Sequence, residues 1–327
     1  MSTFLQNWMM LRAMSGPRGP KEYIPFADPA VEAICVANFS SDGIGVTMQD
    51  AAAVTSQQFR GKFAENTQII SFEEFQYFTG VDTLYEEDGF YGCTNLASLI
   101  LPDSIRTLNW ACLVCPSLAG TFIIPAYVSW LTRGVADGTV ALTNLIGLPS
   151  SIDVFFLSSG NGTGILYLKN FNVQYRYITA DYKHILIDGN LTFTAVDWVF
   201  QGGSVESIRI RGDYTSTQDS AIYYGGTLAF VELMGQINGG YLAWNGYRSG
   251  AILHLGYNGV AGTSARCGAS EANITTIYVG SGESQAADQA VLNQYLADPD
   301  WAQYASKLDL WYNYNGDYKN WPTIPTT

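Results

Sequence analysis

An apolar-x-apolar triplet returns along this chain about every 23 residues, and no other feature of the sequence restricts the fold as much. The triplets are Leu99/Leu101, Phe122/Ile124, Ile146/Leu148, Leu166/Leu168, Ile185/Ile187, Ile208/Ile210, Val231/Leu233, Leu253/Leu255 and Ile277/Val279. Their steps are 23, 24, 20, 19, 23, 23, 22 and 24 residues. Other residue types keep the same beat. Pro102, Pro125 and Pro149 are spaced by 23 and 24, Cys93 and Cys115 by 22, and Gly189, Gly212 and Gly235 by 23.

A repeat of this length is one turn of a solenoid. Side chains alternate sides along a strand, so the outer members of each triplet point together into a core and the middle member points out. The pattern predicts one short strand per rung, parallel to its neighbours. No rung can bury its apolar face alone, so stacking stabilises the array and both ends need covers. The three glycines, each two residues after a triplet, mark strand ends where φ > 0 is expected.

The flanks read as such covers. Short helices are expected over residues 28–37 and 47–63. After the last rung, Val291, Leu292, Tyr295 and Leu296 fall at helical spacing, and Asp298-Pro299 can end that helix and start another carrying Trp301, Tyr304 and Leu308. The resulting organisation is an attachment segment and Gly/Pro linker (1–20), a helical cap with an EF-hand-like loop (21–83), the solenoid (84–280), and a C-terminal helical cap and tail (281–327).

Composition narrows function. With 16 basic against 29 acidic side chains the net charge is −13, a field that repels phosphates, so nucleic acid is not an expected partner. No stretch approaches 18 consecutive apolar residues, and no membrane span is expected. The start, MSTFLQNWMMLRAM, lacks the basic and apolar regions of a signal peptide. Five cysteines, an odd number, fit reduced thiols better than a disulfide framework.

The unit GFYGCTNLASLILPDSIRTL resembles the BspA-like leucine-rich repeat of gut bacteria and their phages, whose pattern is AF-x-x-C-x-x-L followed by apolar-x-apolar-Pro. The resemblance covers roughly residues 21–314, and residues 140–200 depart from it. It implies an α/β repeat, a leucine-rich-repeat-type parallel β solenoid with short helical N-terminal and C-terminal caps. It also implies a non-enzymatic recognition or structural module displayed on cells or virions.

Cys112-Leu-Val-Cys115 has the spacing of a redox or zinc pair, but Cys115 occupies the repeat position of Cys93. It therefore reads as a buried structural thiol. Residues 38–50 resemble an EF-hand loop with Asn38, Ser40 and Asp42 as weak metal candidates. The loop lacks the bidentate Glu, so Asp42 and Asp50 read as helix caps. GNGTG (160–164) is followed by ILYL instead of a helix and reads as a turn between rungs. Nothing brings an acid, a base and a nucleophile together, so neither enzymatic activity nor a cofactor is expected.

The outward strand positions form a mixed aromatic and charged strip: Tyr167, Lys169, His184, Asp188, Arg209, Arg211, Phe230, Glu232, Met234, His254, Thr276 and Tyr278. This strip reads either as an ordinary solvated or loop-covered face or as a ligand surface. The apolar start (Phe4, Leu5, Trp8, Met9, Met10), tethered by a Gly/Pro linker, reads as an attachment segment ordered by a partner. The expected role is a phage virion component, a head or tail decoration or fibre tip. Its partners would be other virion proteins and a host surface protein or glycan, and a homo-oligomer is compatible with this. The alternative is a bacterial cell-surface or extracellular adhesin.

Overall fold

The computed structural model describes residues 21–321 except 86–88, 110–111, 132–137, 139–140, 148–151, 154–157, 170, 174–177, 194–197, 202–203, 217–220, 239–246 and 257–270. The periodic triplets coil into a parallel β-solenoid. Its spine is a nine-stranded, all-parallel sheet of Gly120–Ile124, Leu142–Gly147, Ile165–Leu168, His184–Ile187, Ser207–Ile210, Leu228–Leu233, Tyr247–Leu255, Ile274–Val279 and Leu308–Leu310, stacked in chain order.

Register fixes which side chains are inside. Phe122, Leu145, Leu166, Ile185, Ile208, Val231, Leu253, Ile277 and Leu308 form one inward column. Ile124, Gly147, Leu168, Ile187, Ile210, Leu233, Leu255, Val279 and Leu310 form the second. One triplet is thereby corrected: the inward pair is Leu145/Gly147, and Ile146 points out. A slip of one residue exchanges the faces of a strand, and the alternation here is ambiguous because Leu145 and Ile146 are both apolar. Leu99 is also displaced from the expected ladder. It belongs to Ser98–Leu99, which pairs with Ser71–Phe72 in a separate two-stranded sheet.

The expectation of one strand per rung gives way to three strands per turn in the middle of the chain. A five-stranded sheet joins Ile152–Asp153, Phe171–Val173, Leu191–Phe193, Tyr214–Ser216 and Ile237–Asn238, and a four-stranded sheet joins Ser158–Ser159, Ile178–Ala180, Trp198–Gln201 and Ala221–Tyr224. Both are parallel. Alternation again explains the burial, since Leu191 and Phe193 are buried around a half-exposed Thr192, and Tyr214 and Ser216 around Thr215.

Between the first two faces the chain turns tightly. Gly189 has φ +151°, but Gly212 and Gly235 are not in the positive-φ region, so the expected reason for glycine fails there. The operative reason is close approach. A Cβ on Gly212 would lie 2.5 Å from the Gly189 carbonyl carbon, and one on Gly235 would lie 2.3 Å from that of Gly212. The glycines stack backbone on backbone.

At the front, helices span Pro29–Phe39, Met48–Ala53 and Ser56–Phe59. Asp28 caps the first, accepting from Ala30 N at 2.8 Å, and its other oxygen accepts from Ile70 N at 2.5 Å and Ser71 N at 3.2 Å. One buried carboxylate thus ties the first helix to the first strand. Phe59, Phe63, Phe72, Phe75, Phe78 and Phe90 pack beneath, with Phe59 and Phe75 rings 4.7 Å apart. At the back, helix Gln285–Ala297 is capped by Ser284 and buries Val291 and Tyr295. The second helix expected there is replaced by a 3-10 turn, Ala302–Tyr304, and by the strand Leu308–Leu310. Leu308/Leu310 is a further rung, 31 residues after Ile277/Val279 because the 13-residue helix lengthens that turn. Among the described residues no helix is long and apolar enough to cross a membrane.

Candidate functional site

The outward face of the long sheet carries Ile123, Ile146, Tyr167, Leu186, Arg209, Glu232, His254, Tyr278 and Asp309 in a single register column. Much of that face is covered by the chain itself. After the last strand, residues 311–321 fold back across it as a strap with an aromatic at 311, 314, 318 and 321. Trp311 stacks on His254 with centroids 3.7 Å apart, and Tyr318 stacks on Phe230 at 4.6 Å. Tyr314 meets Tyr278 edge-on at 5.0 Å, and Arg209 lies 4.7 Å over the Trp321 ring. Trp321 also packs on a small apolar cluster of Ile146, Ile165, Tyr167 and Leu186.

Asp288 sets where the strap begins. This carboxylate is wholly buried on the C-terminal helix, accepting from Gly282 N at 3.0 Å and from Tyr312 N at 2.8 Å. Two backbone donors on a buried carboxylate are strong, directional contacts, so the chain leaves the last strand at a defined angle.

The residues expected on the outer strip therefore divide into two sets. Phe230, Glu232 and His254 are buried, at 0%, 3% and 0% exposure, and Tyr278, Arg209 and His184 are partly covered. Tyr167 is buried, donating its hydroxyl to Asp188 at 2.9 Å. Lys169 and Arg211 are exposed, while Asp188, Met234 and Thr276 are half-buried. The strip is in large part an inner seam.

Under the strap the charges are matched. Arg209 Nε meets Glu232 Oε2, and Glu232 Oε1 lies 2.9 Å from His254 Nδ1. His254 Nε2 lies 2.8 Å from the Gly280 carbonyl. Burial pulls the imidazole down, to about 4, which favours its neutral form. A neutral ring has one N–H, however, and here each ring nitrogen faces an oxygen acceptor. The tautomer therefore decides which of the two acceptors, the Glu232 carboxylate or the Gly280 carbonyl, receives that proton. Burial also lowers Arg209, to about 10, and Arg211 lowers it further, which leaves Arg209 cationic at neutral pH. His184 is likewise pulled down by burial; its Nδ1 is 2.7 Å from Ser207 Oγ, and its ring meets Trp321 edge-on.

Beside this seam a cavity of about 350 Å3 opens, lined by Arg209, Arg211, Glu232, Met234, Trp311 and Lys319. Arg211 pairs with Asp188 at 3.1 Å on its outer side, and Lys319 donates to the Tyr314 carbonyl at 2.8 Å. Neither the cavity nor Asp288 is announced by the repeat. The one signal available was the density of aromatics in WYNYNGDYKNW, five in eleven residues, directly after the last rung.

The remaining candidates resolve as architecture or lie elsewhere. Asn38 donates to Ile34 O, and Ser40 Oγ accepts from Gly43 N and donates to Gly45 O. Asp42 binds Lys21 and Tyr23 and accepts from Ile44 N, and the Lys21 contact holds its carboxyl well below the usual range. Asp42 is therefore a loop brace instead of a helix cap, whereas Asp50 completes a capping box with Thr47. Cys93, Cys112 and Cys115 are buried, and Cys93 and Cys115 sulfurs lie 3.0 and 3.2 Å from the Phe63 and Phe90 carbonyls. Burial raises all three thiols, and Cys93 and Cys112 raise Cys115 further. No group of three or more His, Cys, Asp or Glu among the described residues could hold a metal ion. Phe4, Leu5, Trp8, Met9, Met10, Pro149, Leu148 and Cys267 lie outside the described residues. No protein-family model, curated protein or solved structure matches this chain.

Proposed function

We propose that this chain is a structural and recognition module of a phage particle, a head or tail decoration or a fibre tip, built on a leucine-rich-repeat-type solenoid with helical caps. The observation that carries the reading is the self-covered outer face. A nine-stranded parallel sheet pinned by its own C-terminal strap is a rigid support, and the ionisable groups under the strap, Arg209, Glu232 and His254, are paired with one another. Such a body suits display of a fixed surface better than turnover of a substrate. The recognition surface is then the part that the strap leaves open, around Lys169, Asp188, Arg211, Met234 and Lys319.

The apolar segment Phe4, Leu5, Trp8, Met9 and Met10 docks on the particle in this reading, and the Gly/Pro linker lets the body face outward. Removing residues 1–14 should leave a folded body, by circular dichroism, that no longer co-purifies with particles. Normal incorporation of the truncated protein would overturn the virion reading. Recovery of the intact chain in bacterial surface fractions, without particles, would favour the adhesin alternative.

A further inference from the structure

We infer that the cavity beside the strap is a binding site for an oxyanion group, a carboxylate, sulfate or phosphate carried by a small ligand or a sugar. The cavity reverses the charge of the rest of the chain. The protein as a whole is −13, yet three cations, Arg209, Arg211 and Lys319, line this one opening with a single carboxylate, Glu232. Glu232 is already paired with Arg209, so the excess positive charge at the opening is that of Arg211 and Lys319.

The geometry comes from the register. Arg209 is on the strand Ser207–Ile210 and Arg211 directly follows it, with its N–H still donating to the Ile187 carbonyl at 3.0 Å, so the alternation carries on and both side chains leave the same face. The same row, one residue past each strand, passes from Arg211 to Met234, whose N–H donates to the Ile210 carbonyl, and then to Gly256, whose N–H donates to the Leu233 carbonyl and which has no side chain. Met234 Sδ would lie 2.5 Å from a Cβ placed on Gly256, so the thioether folds over the glycine and forms an apolar floor. Trp311 closes one wall, held by His254 on one of its faces. Lys319 lies 5.9 Å from the Trp311 ring centroid and is positioned by the Tyr314 carbonyl. The strap therefore supplies one cation, the sheet supplies two, and the site forms only when the two are joined.

Guanidinium groups offer paired donors that match an oxyanion, and an ammonium adds a point charge. A volume of about 350 Å3 accommodates a group of that size with part of the unit that carries it. The outer partner Asp188 is a half-buried carboxylate at the end of Arg211, and an incoming anion competes with it for that guanidinium.

The test is calorimetric titration of the full chain with sodium sulfate, sodium phosphate and sodium glucuronate, each at constant ionic strength. Saturable binding of at least one probe is expected. In the double variant Arg211→Ala/Lys319→Met it should weaken by about tenfold or more, since two charge-assisted contacts are removed. Lys319→Met keeps the packing on Trp311, and an unchanged near-ultraviolet dichroism spectrum verifies that the strap is seated. Tighter binding of glucuronate than of the inorganic ions assigns the source to an acidic sugar, and the reverse order to a free oxyanion. Absence of saturable binding for all three probes, or equal binding by the double variant with its strap seated, overturns the inference.

Discussion

Replacing Trp311 with alanine should release the strap and leave the solenoid standing. Trp311 is 6% exposed, stacks on His254 at 3.7 Å and on Tyr314 at 4.5 Å, and meets Phe230 and Tyr278 at 6.1 and 5.6 Å. Truncating a buried aromatic of this size costs about 3–5 kcal/mol, part of it from stacked pairs worth ~0.5–1.5 kcal/mol each. Beyond the Asp288 contact to Tyr312 N, the eleven-residue segment is held on the sheet mainly by four aromatic anchors, so the loss is expected to appear as local opening. At about 1.4 kcal/mol per factor of ten, hydrogen exchange in residues 311–321 should accelerate by roughly 100-fold or more. Exchange in strands His184–Ile187 and Ser207–Ile210 should change little. Trp311→Phe retains a ring and should recover most of the protection. Unchanged exchange in 311–321, accompanied by a fall in the melting temperature of the whole protein, would show that the strap is not a separate unit and refute the reasoning.

Two further outcomes are expected. Asp28→Asn should lower stability at neutral pH by about 1–3 kcal/mol, because the carboxylate receives backbone N–H groups from two elements. Burial alone would raise the Asp28 pKa, but these hydrogen bonds outweigh it and the folded value is depressed. The wild-type stabilisation is therefore fully present above the unfolded value near 4 and is lost as pH falls below it, so melts from pH 5 to pH 2 should be steeper for wild type than for the variant. Titration with a thiol reagent at pH 8 should leave Cys35, Cys93, Cys112 and Cys115 unreacted until denaturant is added, since burial pushes all four up, Cys93 to about 11. Rapid reaction of Cys112 or Cys115 in the native protein would reopen a chemical role for the pair.

The spine of the fold was legible because stacking repeats the same burial problem in every turn. Seven of the nine triplets predict the inward pairs that the register shows, from Phe122/Ile124 and Leu166/Leu168 onward. Ile146/Leu148 failed because two adjacent apolar residues leave the phase of alternation undecided, and pairing of Ile146 in register with Ile123 and Tyr167 decides it. The second and third strands of each turn were less visible. Stretches of two to four residues such as Leu191–Phe193 or Ser158–Ser159 are too short for a period of two to stand out.

The sequence by itself determined that this chain is a parallel solenoid, since the spacing of its apolar triplets can be buried in no simpler way. It also determined that Cys115 and Cys93 belong to the core, because they share a repeat position. Only the tertiary structure decided the fate of the outer face. Glu232, His254 and Arg209 look like a surface strip in one dimension, and the sequence contains nothing that places Trp311 or Lys319 beside them. Residues more than 50 positions apart meet there because the chain turns back after its last strand, and that turn is held by a single buried carboxylate, Asp288. Local periodicity specifies what repeats, whereas the strap occurs once, and a contact that occurs once leaves no period to read.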